Sequence, residues 1–82
     1  MTPLAAEYKR ILEENGWTFD GDCPVCGGQA WKFSFGRHEL KVRKDKDRFT
    51  IKGPKTGTST PMTIKSLIPV IEKHGLTNKQ SA

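Results

Sequence analysis

The stretch Trp31-Lys32-Phe33-Ser34-Phe35-Gly36-Arg37-His38-Glu39-Leu40-Lys41-Val42-Arg43-Lys44-Asp45-Lys46-Asp47-Arg48-Phe49-Thr50-Ile51-Lys52 decides the fold. Trp31, Phe33 and Phe35 alternate with Lys32 and Ser34, so 29–35 reads as a strand with one aromatic face. Gly36-Arg37 is a turn, and His38, Leu40 and Val42 then alternate with Glu39, Lys41 and Arg43. Lys44-Asp45-Lys46-Asp47 is a charged hairpin turn, followed by the alternating strand Arg48–Lys52. Polar-out alternation over three consecutive strands predicts an antiparallel sheet covered on one face only.

Helical patterns lie on either side. Thr2-Pro3 is a hydroxyl cap followed by proline at the first helical position. Leu4, Tyr8, Ile11 and Leu12 share one helical face, and Asn15-Gly16 stops it, predicting a helix over 3–15. Trp17-Thr18-Phe19 is a short extended piece. Downstream, 53–60 reads as a flexible loop, and Thr60-Pro61 repeats the cap-plus-proline signal. Ile64, Leu67, Ile68 and Ile71 then predict a helix over 61–74, which Pro69 should kink or split near Ser66. The expectation is an α+β domain of order α-β-β-β-α, a three-stranded antiparallel sheet with both helices on one face. It spans 1–76, with 77–82 as a disordered tail.

Length and charge narrow the classes. The 82 residues allow one domain with a small core. No apolar run approaches a membrane span, and the N-terminus carries no signal-peptide pattern, so a cytoplasmic, reducing setting is expected. Net charge is +5 and lopsided: residues 1–30 sum to −3, whereas 31–65 hold ten Lys and Arg against three acids, a balance of +7. A solubilising surface would mix the signs; a segment this basic gathers polyanions through counterion release. Arg37, Lys41, Arg43, Lys52, Lys55 and Lys65 are the candidate nucleic-acid contacts. Lys55 and Lys65 flank the start of the last helix, where backbone amides suit phosphate. RNA is the expected partner.

His38 is the candidate general base on the sheet, with Arg37, Lys41 or Lys52 available to stabilise a phosphorane. By alternation it also shares a face with Leu40 and Val42, which would turn it toward the core edge. Trp31, Phe33 and Phe35 are either a base-stacking platform or the core. Cys23-Pro24-Val25-Cys26-Gly27-Gly28 has the spacing and glycines of half a zinc ribbon, which makes Cys23 and Cys26 candidate zinc ligands. The alternative is an unmetallated pair of thiols in a tight turn. A closed site needs four ligands, which a homodimer would supply as two pairs.

The α-β-β-β-α order resembles the double-stranded-RNA-binding-domain fold. Within it, Leu12-Glu13-Glu14-Asn15-Gly16-Trp17, Gly36-Arg37-His38, Pro61–Leu67 and His74-Gly75-Leu76 resemble stretches of the HicA-type toxins, small bacterial ribonucleases of toxin–antitoxin pairs. The resemblance implies metal-independent RNA cleavage with His38 as the catalytic residue, and an antitoxin-like protein partner. Arg37 stands where that family has serine, and Glu39 where it often has a second histidine. The Cys-Pro-Val-Cys string also resembles the first half of primase-type zinc ribbons. It supports an alternative expectation, a non-catalytic zinc-knuckle nucleic-acid-binding protein or regulatory adaptor of phage or mobile-element type. A third expectation is an adaptor whose basic face meets an acidic protein.

Overall fold

The computed structural model describes residues 2–78, the side chain of Cys26 excepted. The elements are α1 (Pro3–Glu14), β1 (Thr18–Asp22), β2 (Ala30–Phe35), β3 (His38–Arg43), β4 (Phe49–Gly53), β5 (Gly57–Thr58) and α2 (Leu67–Lys73). The chain is α+β, with an antiparallel meander in the order β1-β2-β3-β4-β5. The sheet therefore has five strands where the alternation predicted three. The two additions lie at its edges. β1 holds one apolar residue, Phe19, opposite Phe33, and its pairing with β2 skips Asp20 in a bulge. β5 is only two residues long, and neither is apolar. Neither strand carries a legible alternation.

The segment expected as a flexible loop over 53–60 is the return of a hairpin. Lys52 lies opposite Thr58 and Gly53 opposite Gly57. The Ile51 amide donates to Ser59 Oγ (2.9 Å), and the Ser59 amide donates to the Ile51 carbonyl (2.9 Å).

Helix α1 starts as its sequence demands. Thr2 Oγ1 accepts from the Ala5 amide at 3.2 Å, and Pro3 stands in the first turn, where a missing N–H costs nothing. The second cap-plus-proline pair does not start a helix. Around Pro61, the chain remains extended because Met62 and Phe49 exchange two backbone hydrogen bonds, at 2.7 and 2.9 Å. Residues Ile64–Ser66 form a single 3-10 turn, and α2 begins only at Leu67. This places Pro69 in the first turn of α2, where its absent amide has no helical acceptor to leave empty. The split expected near Ser66 is there, and the helix predicted over 61–74 is shortened accordingly.

Both helices cover the same side of the sheet. Tyr8 and Leu12 from α1, and Leu67 and Ile71 from α2, share one cluster with Phe33, Leu40, Val42, Phe49 and Ile51. The register puts Leu40 opposite Phe33 and Ile51, and Val42 opposite Trp31 and Phe49, so these strand residues line a single face. Trp31, Phe33 and Phe35 belong to that core side. Trp17 lies against Phe35, with ring centroids 5.4 Å apart, and its Nε1 donates to the Leu76 carbonyl at 2.8 Å. Thr77 and Asn78, expected in a disordered tail, are held by the fold: Thr77 is buried and donates to Asn15 Oδ1 (2.6 Å), and the Asn78 amide donates to the Asn15 carbonyl (3.0 Å). The rest of that expected tail, 79–82, lies outside the described residues. Among the described residues no helix is long and apolar enough to cross a membrane.

One carboxylate ties three elements together. Asp47 Oδ1, in the β3–β4 turn, accepts from Tyr8 Oη (2.6 Å) and from the Ile64 amide (2.9 Å). Tyr8 is fully buried, and burial first, then Asp47, pushes its phenol well above the ordinary tyrosine range. Asp47→Ala should lower unfolding free energy by about 2–3 kcal/mol, because a buried donor and a backbone amide lose their acceptor together. Adding Tyr8→Phe should cost little more, since the orphaned hydroxyl goes with it. Urea titration of the wild type, both single variants and the double variant checks the coupling; additive losses would show the two groups to be independent.

Candidate nucleic-acid interface

The pleat that sends Leu40 and Val42 inward sends their neighbours outward. Lys32, Lys41 and Thr50 form one row across the open face, and Glu39 lies opposite Lys52. Some of the charge there is already answered. Lys32 Nζ lies 3.1 Å from Glu39; on the Trp31 side of the sheet, Lys44 Nζ lies 2.8 Å from Asp22 and over the Trp31 ring. Arg43 Nε and Nη2 reach the two carboxylate oxygens of Asp45 at 3.2 and 3.5 Å, a hydrogen bond that holds Asp45 below its ordinary range. Among the described residues, Lys41, Lys46, Arg48 and Lys52 take part in no salt bridge.

The face is not flat. A hollow of ≈ 600 Å³ opens at the end where β2, β3 and β4 meet the β3–β4 turn. Lys41, Arg43, Lys46 and Arg48 line it, with Ala30, Thr50, Gln29 and Pro61. A smaller hollow of ≈ 80 Å³ adjoins it, sharing Lys41 and Thr50 and reaching Lys52 and Thr58. The turn explains the convergence. Asp47 is drawn inward by Tyr8 and Ile64, and its flanking neighbours Lys46 and Arg48 are left at the hollow.

Of the cations singled out in the sequence, the structure brings Lys41, Arg43 and Lys52 together. Arg37 is exposed in the β2–β3 turn, Lys55 in the β4–β5 turn and Lys65 in the 3-10 turn before α2; none of the three lines either hollow. The charged string Lys44–Arg48, a turn running into the strand read over Arg48–Lys52, supplies none of the candidate contacts, although Lys46 and Arg48 line the hollow. Nothing in that string marks which aspartate a distant tyrosine will capture.

His38 lies on the other side of the sheet. It is 4% exposed, and its Nε2 accepts from the Lys55 amide at 3.2 Å. Its ring occupies the space beside Gly53, where a Cβ would collide with it. Burial, then the charges of Lys55 and His74, lowers its pKa and favours the neutral ring. The lone pair that a general base would offer to a substrate is engaged by a backbone amide, and the open-face cations are across the sheet.

Cys23 is fully buried at the start of the tight turn. Its amide donates to the Ala30 carbonyl (2.9 Å), and Gly27 and Gly28 take left-handed φ of 62° and 79° to bring the chain round. The Cys26 side chain lies outside the described residues. Among the described residues no three His, Cys, Asp or Glu side chains gather as a metal site. In comparisons with known proteins, no family model, no curated protein and no solved structure matches the chain.

The environment of His38 sets a pH dependence. A histidine whose folded pKa is depressed contributes stability that is present above its unfolded value, near 6.5. That contribution is lost as pH falls from there through the folded pKa, since the unfolded chain binds the proton more readily. Unfolding free energy should therefore fall as pH is lowered from about 7.5 to about 5, through the ordinary histidine range. His38→Gln, which keeps an acceptor and cannot titrate, should flatten this part of the profile. An identical slope in the variant would place the titrating group elsewhere.

Proposed function

We propose that this domain binds RNA along the open face of its sheet and does so without cleaving it. One observation carries the reading. The register gathers Lys41, Arg43 and Lys52 on the face that no helix covers, and the captured Asp47 adds Lys46 and Arg48 at one end. Five cations within one surface, facing acids of which Asp45 and Glu39 are already paired, suit a backbone of regularly spaced phosphates. Binding is favoured over the cleavage implied by the HicA-type resemblance because His38 is buried on the opposite side with its Nε2 engaged. Sequence preference should be weak, since lysine and arginine directed at phosphates fix position and carry little base information.

Each phosphate contact contributes a salt slope of about −0.7 for single strands. Lys41→Ala with Arg43→Ala should flatten the slope by roughly one to two units and leave the fold intact, both side chains lying on the solvent side. Asp45→Ala should act in the opposite sense: it releases Arg43 from its ion pair and should tighten binding, most visibly at low salt. Fluorescence anisotropy of labelled RNA over a salt series tests both. An unchanged slope in the double variant would move the interface off this face, and capture of an acidic protein with no RNA binding would replace RNA as the partner.

A further inference from the structure

Phosphate binding needs cations on a surface; it does not need depth. The hollow at the end of the open face is more than a charged surface: it encloses space, and its lining is partly apolar. Ala30, 3% exposed, lies at its floor between longer neighbours on β2 and β3, and Pro61 supplies an apolar wall. The cations stand around this apolar surface, and Gln29 and Thr50 bring an amide and a hydroxyl to it. A volume of ≈ 600 Å³ falls among those of small-ligand sites. Inorganic phosphate would engage the cations and leave the floor empty. A duplex keeps the faces of its bases stacked inside, so it too would leave the floor unused.

We infer that this hollow takes one unstacked nucleotide of a bound single strand. Resting on the RNA reading of the open face, this adds a discrimination that charge alone does not give. The base lies against Ala30 and Pro61, where the guanidinium planes of Arg43 and Arg48 offer flat partners for its π-face. Gln29 carries both a donor and an acceptor and can meet a base edge in either sense, so the site accepts any base. The adjoining phosphates fall to Lys41 and Lys46. From there the strand continues across the smaller hollow toward Lys52.

The test uses the full chain and defined probes. In amide NMR titrations, adenosine 5′-monophosphate should shift Gln29, Ala30, Arg43 and Thr50. Inorganic phosphate at the same concentration should shift the Ala30 amide little. Single-stranded oligoadenylate should bind roughly tenfold more tightly than an RNA duplex of equal length at one salt concentration. Ala30→Leu, which fills the floor and leaves every cation in place, should reduce that preference to about unity with the salt slope unchanged. Because Ala30 is buried and a leucine there tests the fold as well as the site, the wild-type titrations decide the matter by themselves. Equal, salt-dependent binding of single strand and duplex, with the monophosphate acting as phosphate does, would overturn the nucleotide site and leave the open face as a phosphate-binding surface. No binding of any RNA, with the monophosphate silent, would overturn both.

Discussion

The carboxylate of Asp47 is the constraint on which the arrangement depends. An acid in a charged hairpin turn would ordinarily remain solvated. Here it accepts from a buried phenol on α1 and from the backbone just before α2, so one side chain fixes the positions of both helices relative to the β3–β4 hairpin. Hydrogen bonds to a charged acceptor are among the stronger local interactions, of about 1.5–3 kcal/mol each, and these join segments far apart in the chain. The effect passes outward as well as inward. A turn whose last acid, half-buried, is bonded toward the helices leaves its flanking cations at the open-face hollow, so the same anchor also contributes to the cationic surface.

The sheet register then divides labour between its two sides. Each inward apolar residue of β3 and β4 has an outward polar neighbour, and the strands are aligned so that these neighbours fall in rows. With both helices spent on one face, nothing in the described chain covers the other. His38 belongs with the covered side: its ring fills the space above Gly53 and accepts the Lys55 amide, joining β3 to the β4–β5 hairpin. A histidine that reads from sequence as chemistry thus serves as a buried strand-to-turn link. Lys55, which reads as a phosphate contact, supplies that link's donor.

How much of this the chain discloses depends on whether a feature is local. Alternation in 29–52, the capped start of α1 and the break imposed by Pro69 are written into neighbouring residues, and each appears where it was expected. The apolar side of Trp31, Phe33 and Phe35 follows from the same alternation. What could not be read depends on residues far apart. Thr60-Pro61 has the chemistry of a helix start, yet Met62 finds better partners in the Phe49 backbone, a pairing across the fold that overrides the local signal. The five-residue β1 has too little hydrophobic content to show its period, and its bulge shifts what period there is. At the site, Lys41, Arg43 and Lys52 were legible as outward strand positions. Arg48 was an outward position of the alternating strand as well; Lys46 was not legible, because its placement follows from the capture of Asp47 by Tyr8, 39 residues earlier.

The two outermost strands have a consequence for self-association. An open sheet ordinarily exposes unpaired amides and carbonyls at each margin, inviting another chain to add a strand. Here one margin is β1, bent by the bulge at Asp20 and ending in a Gly-Asp pair; the other is β5, which offers only Gly57 and Thr58. Neither gives an incoming strand a straight, continuous run to zip along. The molecule is thereby guarded against polymerising edge to edge, a safeguard that asks nothing of the residues on its two faces.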